Sequence, residues 1–380
     1  MEKPMRNKMK ATKAPSIIGA GLIALDLIVD EHGKTSFAAG GTCANVLTAL
    51  SYLGWNARAV GRLGADYAAE IVLEDLKIFG VDVTFAQLEP RKATPVIVQR
   101  MRKDVDGRPF HTFSFSCPSC GRRLPSYQPV PTKVIEGQID ALVSGVKVAF
   151  FDRLSRGMIA LAARVAATGG IVIFEPSSVQ DTRLFKEMLE LCHVVKYSHE
   201  RLVDYGDVRW GANVTIEIQT LGRGGVRFRH RDDHHRRTIW HHSDAPALDQ
   251  LVDSCGAGDW FSAGIIHALC RQGKKALVRL SIMEINRAMT FAQRLSVWNC
   301  GYVGARGGMY SPAGRSALRS IARLQDSVVA PQPRPERDSI TAKVCGCSDK
   351  DDTSNQELSA LYKRRDRLSG IARTSQPRNY

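Results

Sequence analysis

The sequence predicts an α/β fold built on a mainly parallel central sheet. Three observations carry that expectation. From Ser16 to about Asp326, short apolar runs alternate with helix-period patterns, the rhythm of a sheet wound with helices. Glycines, Gly54 and Gly80, close two of the helical patterns. Between Thr94 and Phe115 the pattern switches to alternation around Asp106-Gly107, which signals a β-hairpin outside the main sheet.

The elements follow in order. Residues 1–14 read as a flexible basic tail and Ile17–Ile28 as the first, buried strand. Ala44–Leu53 reads as a helix with Val46, Leu47, Leu50 and Leu53 on one face. Ala68–Phe79 reads as a second helix, and Val81–Phe85 as a strand. In the hairpin, Val96, Val98 and Met101 precede the turn, and Phe110, Thr112 and Phe113 follow it. Then come Val146–Phe151 (strand), Met158–Thr168 (helix), Ile171–Phe174 (strand) and helices near Leu184–Leu191 and Ser262–Arg271. After about Val329 the chain turns polar around Pro331, Pro333 and Pro335. Residues 330–380 are expected to be a disordered tail with a short helix near Leu358–Leu368, leaving one domain over residues 15–329.

Composition narrows the function classes. The chain has 380 residues, 44% of them hydrophobic and 24% charged, which excludes wholesale disorder. Nine cysteines at irregular spacings fit a reducing compartment better than a disulfide scaffold. No segment reaches the roughly 18 apolar residues of a membrane span. Lys3, Arg6, Lys8, Lys10 and Lys13 before an apolar run imitate a signal peptide, but Gly19, Gly21 and Asp26 interrupt that run. The expected location is the cytoplasm. The net charge of +15 raises nucleic acid as a partner, yet the two tails account for +7 of it.

Two glycine-rich segments carry the chemistry. Asp253-Ser254-Cys255-Gly256-Ala257-Gly258-Asp259 opens a helix, where free N–H groups and the helix dipole attract an anion. An aspartate beside such a hole binds phosphate poorly but can take a proton from a hydroxyl that attacks phosphorus. Taken alone, Asp259 could equally just complement the dipole. Gly40-Gly41-Thr42-Cys43-Ala44-Asn45 opens an earlier helix, and Asn45 can donate to and accept from hydroxyls.

In this order and separation the segments resemble the ribokinase-like (PfkB) carbohydrate kinase family. The first signature runs from Gly40 to Asp66 and the second from Asp253 to Gly264. Thr220-Leu221-Gly222-Arg223-Gly224-Gly225 is similar to the family's nucleotide-side loop, and Gly19 to Asp26 to its first strand. The resemblance implies a ribokinase-like sheet flanked by helices, with a small β lid from about 31–39 and 92–131. It implies an ATP-dependent kinase acting on a hydroxyl of a sugar or sugar-like molecule. Asp259 would be the general base, with Gly256, Ala257 and Gly258 as the anion hole. Asp26, Gly40, Gly41 and Asn45 would hold the substrate, and Thr220, Gly222 and Gly225 would line the nucleotide side. Mg2+ would accompany ATP, and Asp253 resembles the family's monovalent-cation (K+) position. Homodimers through the lid are common in similar proteins.

The chain departs from the family at its Asn-x-x-Glu magnesium motif, where Ser198 and Arg201 stand; Glu200 serves if the register shifts by one. Glu175-Pro176-Ser177 departs likewise. Two other readings stay open: a nucleoside kinase of the same fold, with Trp260 or Phe113 as stacking partner, and a catalytically weak regulatory or nucleic-acid-binding relative. Cys117 and Cys120 read as a tight turn rather than half a zinc site. Five of ten histidines fall at 230–242 among arginines, read as a solvated hairpin. Cys255 at a helix N-terminus is a candidate for a lowered thiol pKa.

Overall fold

The computed structural model describes residues 14–178, 181–201, 211, 213–231, 239–248 and 250–323. Thirteen strands form two sheets: β1 (Ser16–Ala20), β2 (Ala24–Val29), β3 (Thr35–Gly40), β4 (Asn56–Gly64), β5 (Ala86–Glu89), β6 (Val96–Lys103), β7 (Pro109–Ser114), β8 (Val148–Phe151), β9 (Ile171–Phe174), β10 (Val194–Ser198), β11 (Ile216–Thr220), β12 (Val226–His230) and β13 (His241–Ser243). The larger has the order β13-β12-β11-β10-β9-β8-β1-β4-β5, and the smaller β3-β2-β6-β7. In the larger sheet every pair from β11 to β5 is parallel; β12 and β13 add an antiparallel edge.

The central strands are apolar on both faces because helices cover both. Val148 and Phe150 enter one core, and Ala149 and Phe151 the other. The first core is closed by the Thr42–Tyr52, Ala257–Cys270 and Ile282–Cys300 helices, through side chains such as Val46, Ile266 and Met289. The second is closed by the Arg156–Ala167 and Thr182–Leu191 helices, through Leu161, Val165 and Phe185. The Ile282–Cys300 helix starts on a reciprocal cap: Glu284 N–H donates to Ser281 Oγ, and Ser281 N–H to Glu284 Oε2 at 2.8 Å.

The expected single strand Ile17–Ile28 is two strands in two sheets. The chain turns at Gly21–Ile23, where Leu22 N–H donates to Asp152 Oδ1 at 2.9 Å, and β2 crosses into the smaller sheet. A continuous apolar run cannot reveal that crossing, since both halves are buried. The expected strand Val81–Phe85 contributes only a bridge from Asp82 to Arg58; the strand itself is Ala86–Glu89. The 94–115 hairpin forms as β6 and β7, and the Lys34–Ala38 strand as β3, so the lid is present with β2 as an unforeseen member. The expected tails, residues 1–14 and 330–380, lie outside the described residues apart from Ala14. No helix among the described residues is long and apolar enough to cross a membrane.

Candidate active site

The second glycine segment opens a helix. The Ala257–Cys270 helix begins within that segment, five residues before the expected start at Ser262. Gly256 is its N-cap with φ +74°, a left-handed conformation, and a Cβ there would stand 2.5 Å from Ala305 Cα. Gly258 is exposed, so the helix's first N–H groups open outward. Asp259 follows in the first turn.

Asn45, in the first turn of the Thr42–Tyr52 helix, donates from Nδ2 to Asp259 Oδ2 at 2.7 Å. Asn45 is buried, and its Oδ1 has no partner. Burial, then the neighbouring Glu175 charge, push the Asp259 carboxyl up; the Asn45 hydrogen bond and the Lys196 and Arg201 charges pull the other way. Gly41 caps the Thr42–Tyr52 helix. Gly40 lies against Asp26: a Cβ there would be 1.9 Å from its carboxylate carbon. Burial pushes the Asp26 carboxyl up to about 7, with Arg306 opposing and Asp259 and Asp75 adding to it. The strand register puts Asp26, Gln99, Met101, His111 and Phe113 on one face of the lid.

Several supporting residues carried no motif signal. Glu175, after β9, accepts from Lys196 Nζ on one oxygen and from Ser262 Oγ on the other. Lys196 Nζ also donates to the Gly258 carbonyl at 3.2 Å, and Ser262 Oγ lies 3.0 Å from that carbonyl, with its one proton shared between it and Glu175. Gly258 therefore rests on a buried ion pair. Asp152, after β8, accepts from Leu22 N–H and Arg153, and burial pushes its carboxyl up to about 7. Each acid sits at the carboxyl end of a parallel strand, where sites of this architecture gather. That position was a readable signal; the partners were not.

The Thr220–Gly225 loop follows β11. Thr220 Oγ1 donates to the Tyr197 carbonyl at 3.5 Å, and Gly222–Gly224 form a 3-10 turn closed by Leu221 N–H to the Gly225 carbonyl at 2.9 Å. Gly222 is exposed and Gly225 buried. Glu200 sits exposed on the turn after β10. Among the described residues no group of three or more His, Cys, Asp or Glu side chains could hold a metal ion. Asp253 does not fit a monovalent cation. Its two oxygens accept four N–H donors, whose hydrogens occupy the directions in which a cation would sit.

Cys255 is buried, and burial pushes its thiol well up rather than down. Trp260 is core: it is 1% exposed, packs edge-on against Trp298 and donates to the Ala305 carbonyl at 2.9 Å. Phe113 is 49% exposed on the lid's Asp26 face and tilts against His111 at 4.8 Å. Cys117–Gly121 forms a tight turn, with Gly121 N–H donating to the Cys117 carbonyl at 2.9 Å. The arginine-rich hairpin is not simply solvated. Arg227 and Arg229 bond Gln219 and Glu217 and flank Trp240 at 4.6 Å and 4.7 Å, and His230 is buried. Residues 232–238 of that stretch, and Cys345 and Cys347, lie outside the described residues.

Residues 16–106 match the model of the pfkB family carbohydrate kinases. Over that segment the chain is similar to the pfkB carbohydrate kinases. It is 27% identical over 272 residues to a fructokinase of Klebsiella pneumoniae, covering 67% of this chain and 84% of that one. It is 24% identical over 283 residues to an aminoimidazole riboside kinase of Salmonella typhimurium, covering 69% and 83%. Its fold matches fructokinase with bound ATP from Xylella fastidiosa with a TM-score of 0.62 and 19% identity, covering 82% and 99%. The chain is a phosphotransferase with an alcohol group as acceptor, the class to which these carbohydrate kinases belong. The matched segment 16–106 holds the Asp26, Gly40, Gly41 and Asn45 side of the site; Asp259 and its loop lie beyond it.

Proposed function

We propose that this chain transfers the γ-phosphoryl group of ATP to a hydroxyl of a sugar or sugar-like substrate, with Asp259 as general base. The observation that carries this reading is the Asn45–Asp259 hydrogen bond, which joins the substrate-side helix to the phosphate-side helix. With Asn45 Nδ2 on Oδ2, the second oxygen of Asp259 is left to accept a proton. As that proton leaves, the hydroxyl oxygen forms its bond to phosphorus and the bond to the departing ADP oxygen breaks. The raised Asp259 carboxyl is a stronger acceptor than an exposed aspartate.

The backbone of Gly256, Ala257 and Gly258 stabilises the transferring group with N–H dipoles. Asp26 and the free Asn45 Oδ1 accept from substrate hydroxyls, with Gly40 and Gly41 letting the backbone come close. Thr220, Gly222 and Gly225 border the nucleotide. ATP enters as its magnesium complex, which keeps waters and phosphate oxygens as ligands and so needs few protein carboxylates. Glu200 is the acid proposed to hold those waters, on the exposed turn after β10. The lid sheet covers the substrate and excludes water that would compete for the phosphoryl group. Two copies pair through the lid, whose edge strand β7 is free to add a neighbour. The proposed location is the cytoplasm.

Phe113 supports a second reading, a nucleoside or base-bearing riboside as substrate, because an exposed ring on the lid's Asp26 face can stack on a planar base. One panel separates the two: ADP release with fructose, ribose and purine nucleosides, using Asp259→Asn as control. Turnover of a sugar but not a nucleoside carries the first reading, the reverse carries the second. Equal turnover by Asp259→Asn on the preferred substrate rejects the general base.

A further inference from the structure

Asp253 has no exposed surface, yet it belongs to the loop that presents Gly256, Ala257 and Gly258. Its Oδ1 accepts from His111 Nδ1 and from Cys255 N–H, both at 2.9 Å. Its Oδ2 accepts from Gln99 Nε2 at 2.5 Å and from Gly304 N–H at 2.8 Å. A carboxylate offers about four lone-pair sites, and these donors take them all. They come from separate parts of the molecule. Gln99 lies on β6 and His111 on β7 of the lid; Cys255 is in the loop itself; Gly304 follows the Ile282–Cys300 helix. The same loop is held from behind, where Asn299 Nδ2 donates to the Cys255 carbonyl at 2.6 Å.

We propose that Gln99 and His111 are positioning residues that set the anion loop through Asp253, in the place where a monovalent cation would otherwise neutralise that carboxylate. A cation of that class binds through oxygen ligands, whereas the Asp253 carboxylate faces four N–H groups. Without them, a buried carboxylate costs stability and its loop has no fixed seat. Burial pushes the carboxyl up, but the His111, Cys255 and Gly304 hydrogen bonds outweigh it and hold the group lower than usual. Two of the four donors travel with the lid, so seating the lid and shaping the anion hole are one event. The inference rests on reading residues 256–258 as the anion hole.

The test uses the full-length protein with its preferred substrate from the panel above. Wild-type kcat and Tm are measured in KCl and in choline chloride at equal ionic strength. The expected result is no difference between the salts. His111→Leu and Gln99→Leu are each expected to lower kcat about tenfold, as loss of a donor to a buried charge does, with KM for the acceptor little changed. Each is also expected to gain a Tm increase in KCl over choline chloride. His111→Asn, which keeps an N–H donor, should recover most of kcat. Saturable activation or stabilisation of the wild type by K+ overturns the proposal, as do leucine variants with wild-type kcat. If the leucine variants are normal while Asp259→Asn is inactive, only this inference fails. If Asp259→Asn is as active as wild type, the general-base reading fails.

Discussion

Asn45 Nδ2 lies 2.7 Å from Asp259 Oδ2, closing a hydrogen bond between residues 214 positions apart. Two glycine-initiated helices meet there. The bond orients the carboxylate and lowers its proton affinity against the effect of burial.

Replacing Asn45 by Ala removes an influence that holds the Asp259 pKa down. The base must be deprotonated to act, so the acidic limb of the kcat/KM profile should move to higher pH. At a pH on that limb, turnover should fall further than at the plateau. A pH–rate series for wild type and Asn45→Ala checks this; an unmoved limb would separate Asn45 from the base.

Asp259→Asn should lower kcat by about 10²–10⁴, the usual contribution of a positioned base. Because it neutralises a half-buried acid, Tm should hold steady or rise. Coupled ADP detection and a thermal melt on the same preparation check both halves. A lost Tm would signal misfolding rather than lost chemistry.

Asp26 makes a linkage prediction. Its folded pKa is raised to about 7, against about 3.9 for an unfolded aspartate. Between those values the folded state binds more protons, so this group's contribution to stability is lost as pH rises through 7. Asp26→Asn should therefore raise Tm at pH 8, with a gain that shrinks toward pH 5. The same variant should raise KM for the acceptor. A pH-independent Tm difference would contradict the assignment.

Gly40→Ala tests the close approach beside Asp26. Its Cβ would meet the carboxylate at 1.9 Å, so Asp26 must move. Acceptor KM should rise by tenfold or more, since about 1.4 kcal/mol of lost positioning suffices, while KM for ATP stays near wild type. Steady-state kinetics with each substrate varied in turn distinguishes this from general damage.

The buried Lys196–Glu175 pair beneath Gly258 predicts a non-additive double variant. Lys196→Met strands the Glu175 charge and should cost about 3–5 kcal/mol. Adding Glu175→Gln removes that charge and should restore part of the loss. Chemical denaturation of the wild type, the two single variants and the double variant gives the coupling.

Much of this was legible in the chain. The Gly40–Asp66 and Asp253–Gly264 signatures, the Asp106-Gly107 turn and the apolar rhythm follow local rules of helix capping, turn geometry and periodicity. The break at Gly21–Ile23 was not legible, because β1 and β2 are equally buried in two different sheets. Nor were Glu175, Lys196 and Asp152 as supports, since Lys196 for Glu175, Gly258 for Lys196 and Leu22 for Asp152 are remote in sequence.

By itself, then, the sequence determined the α/β class, the lid hairpin, the two glycine-opened helices and the family resemblance. The hairpin and the helix starts depend on residues within a few positions of one another, and the class and the resemblance on the order in which such local segments follow. Tertiary structure alone decided that Asn45 holds Asp259, that Lys196 and Glu175 underpin Gly258, and that lid donors rather than open space surround Asp253. The physical reason is that burial turns each of these charges into a demand for partners, and the partners are supplied by chain crossings that local pattern does not encode.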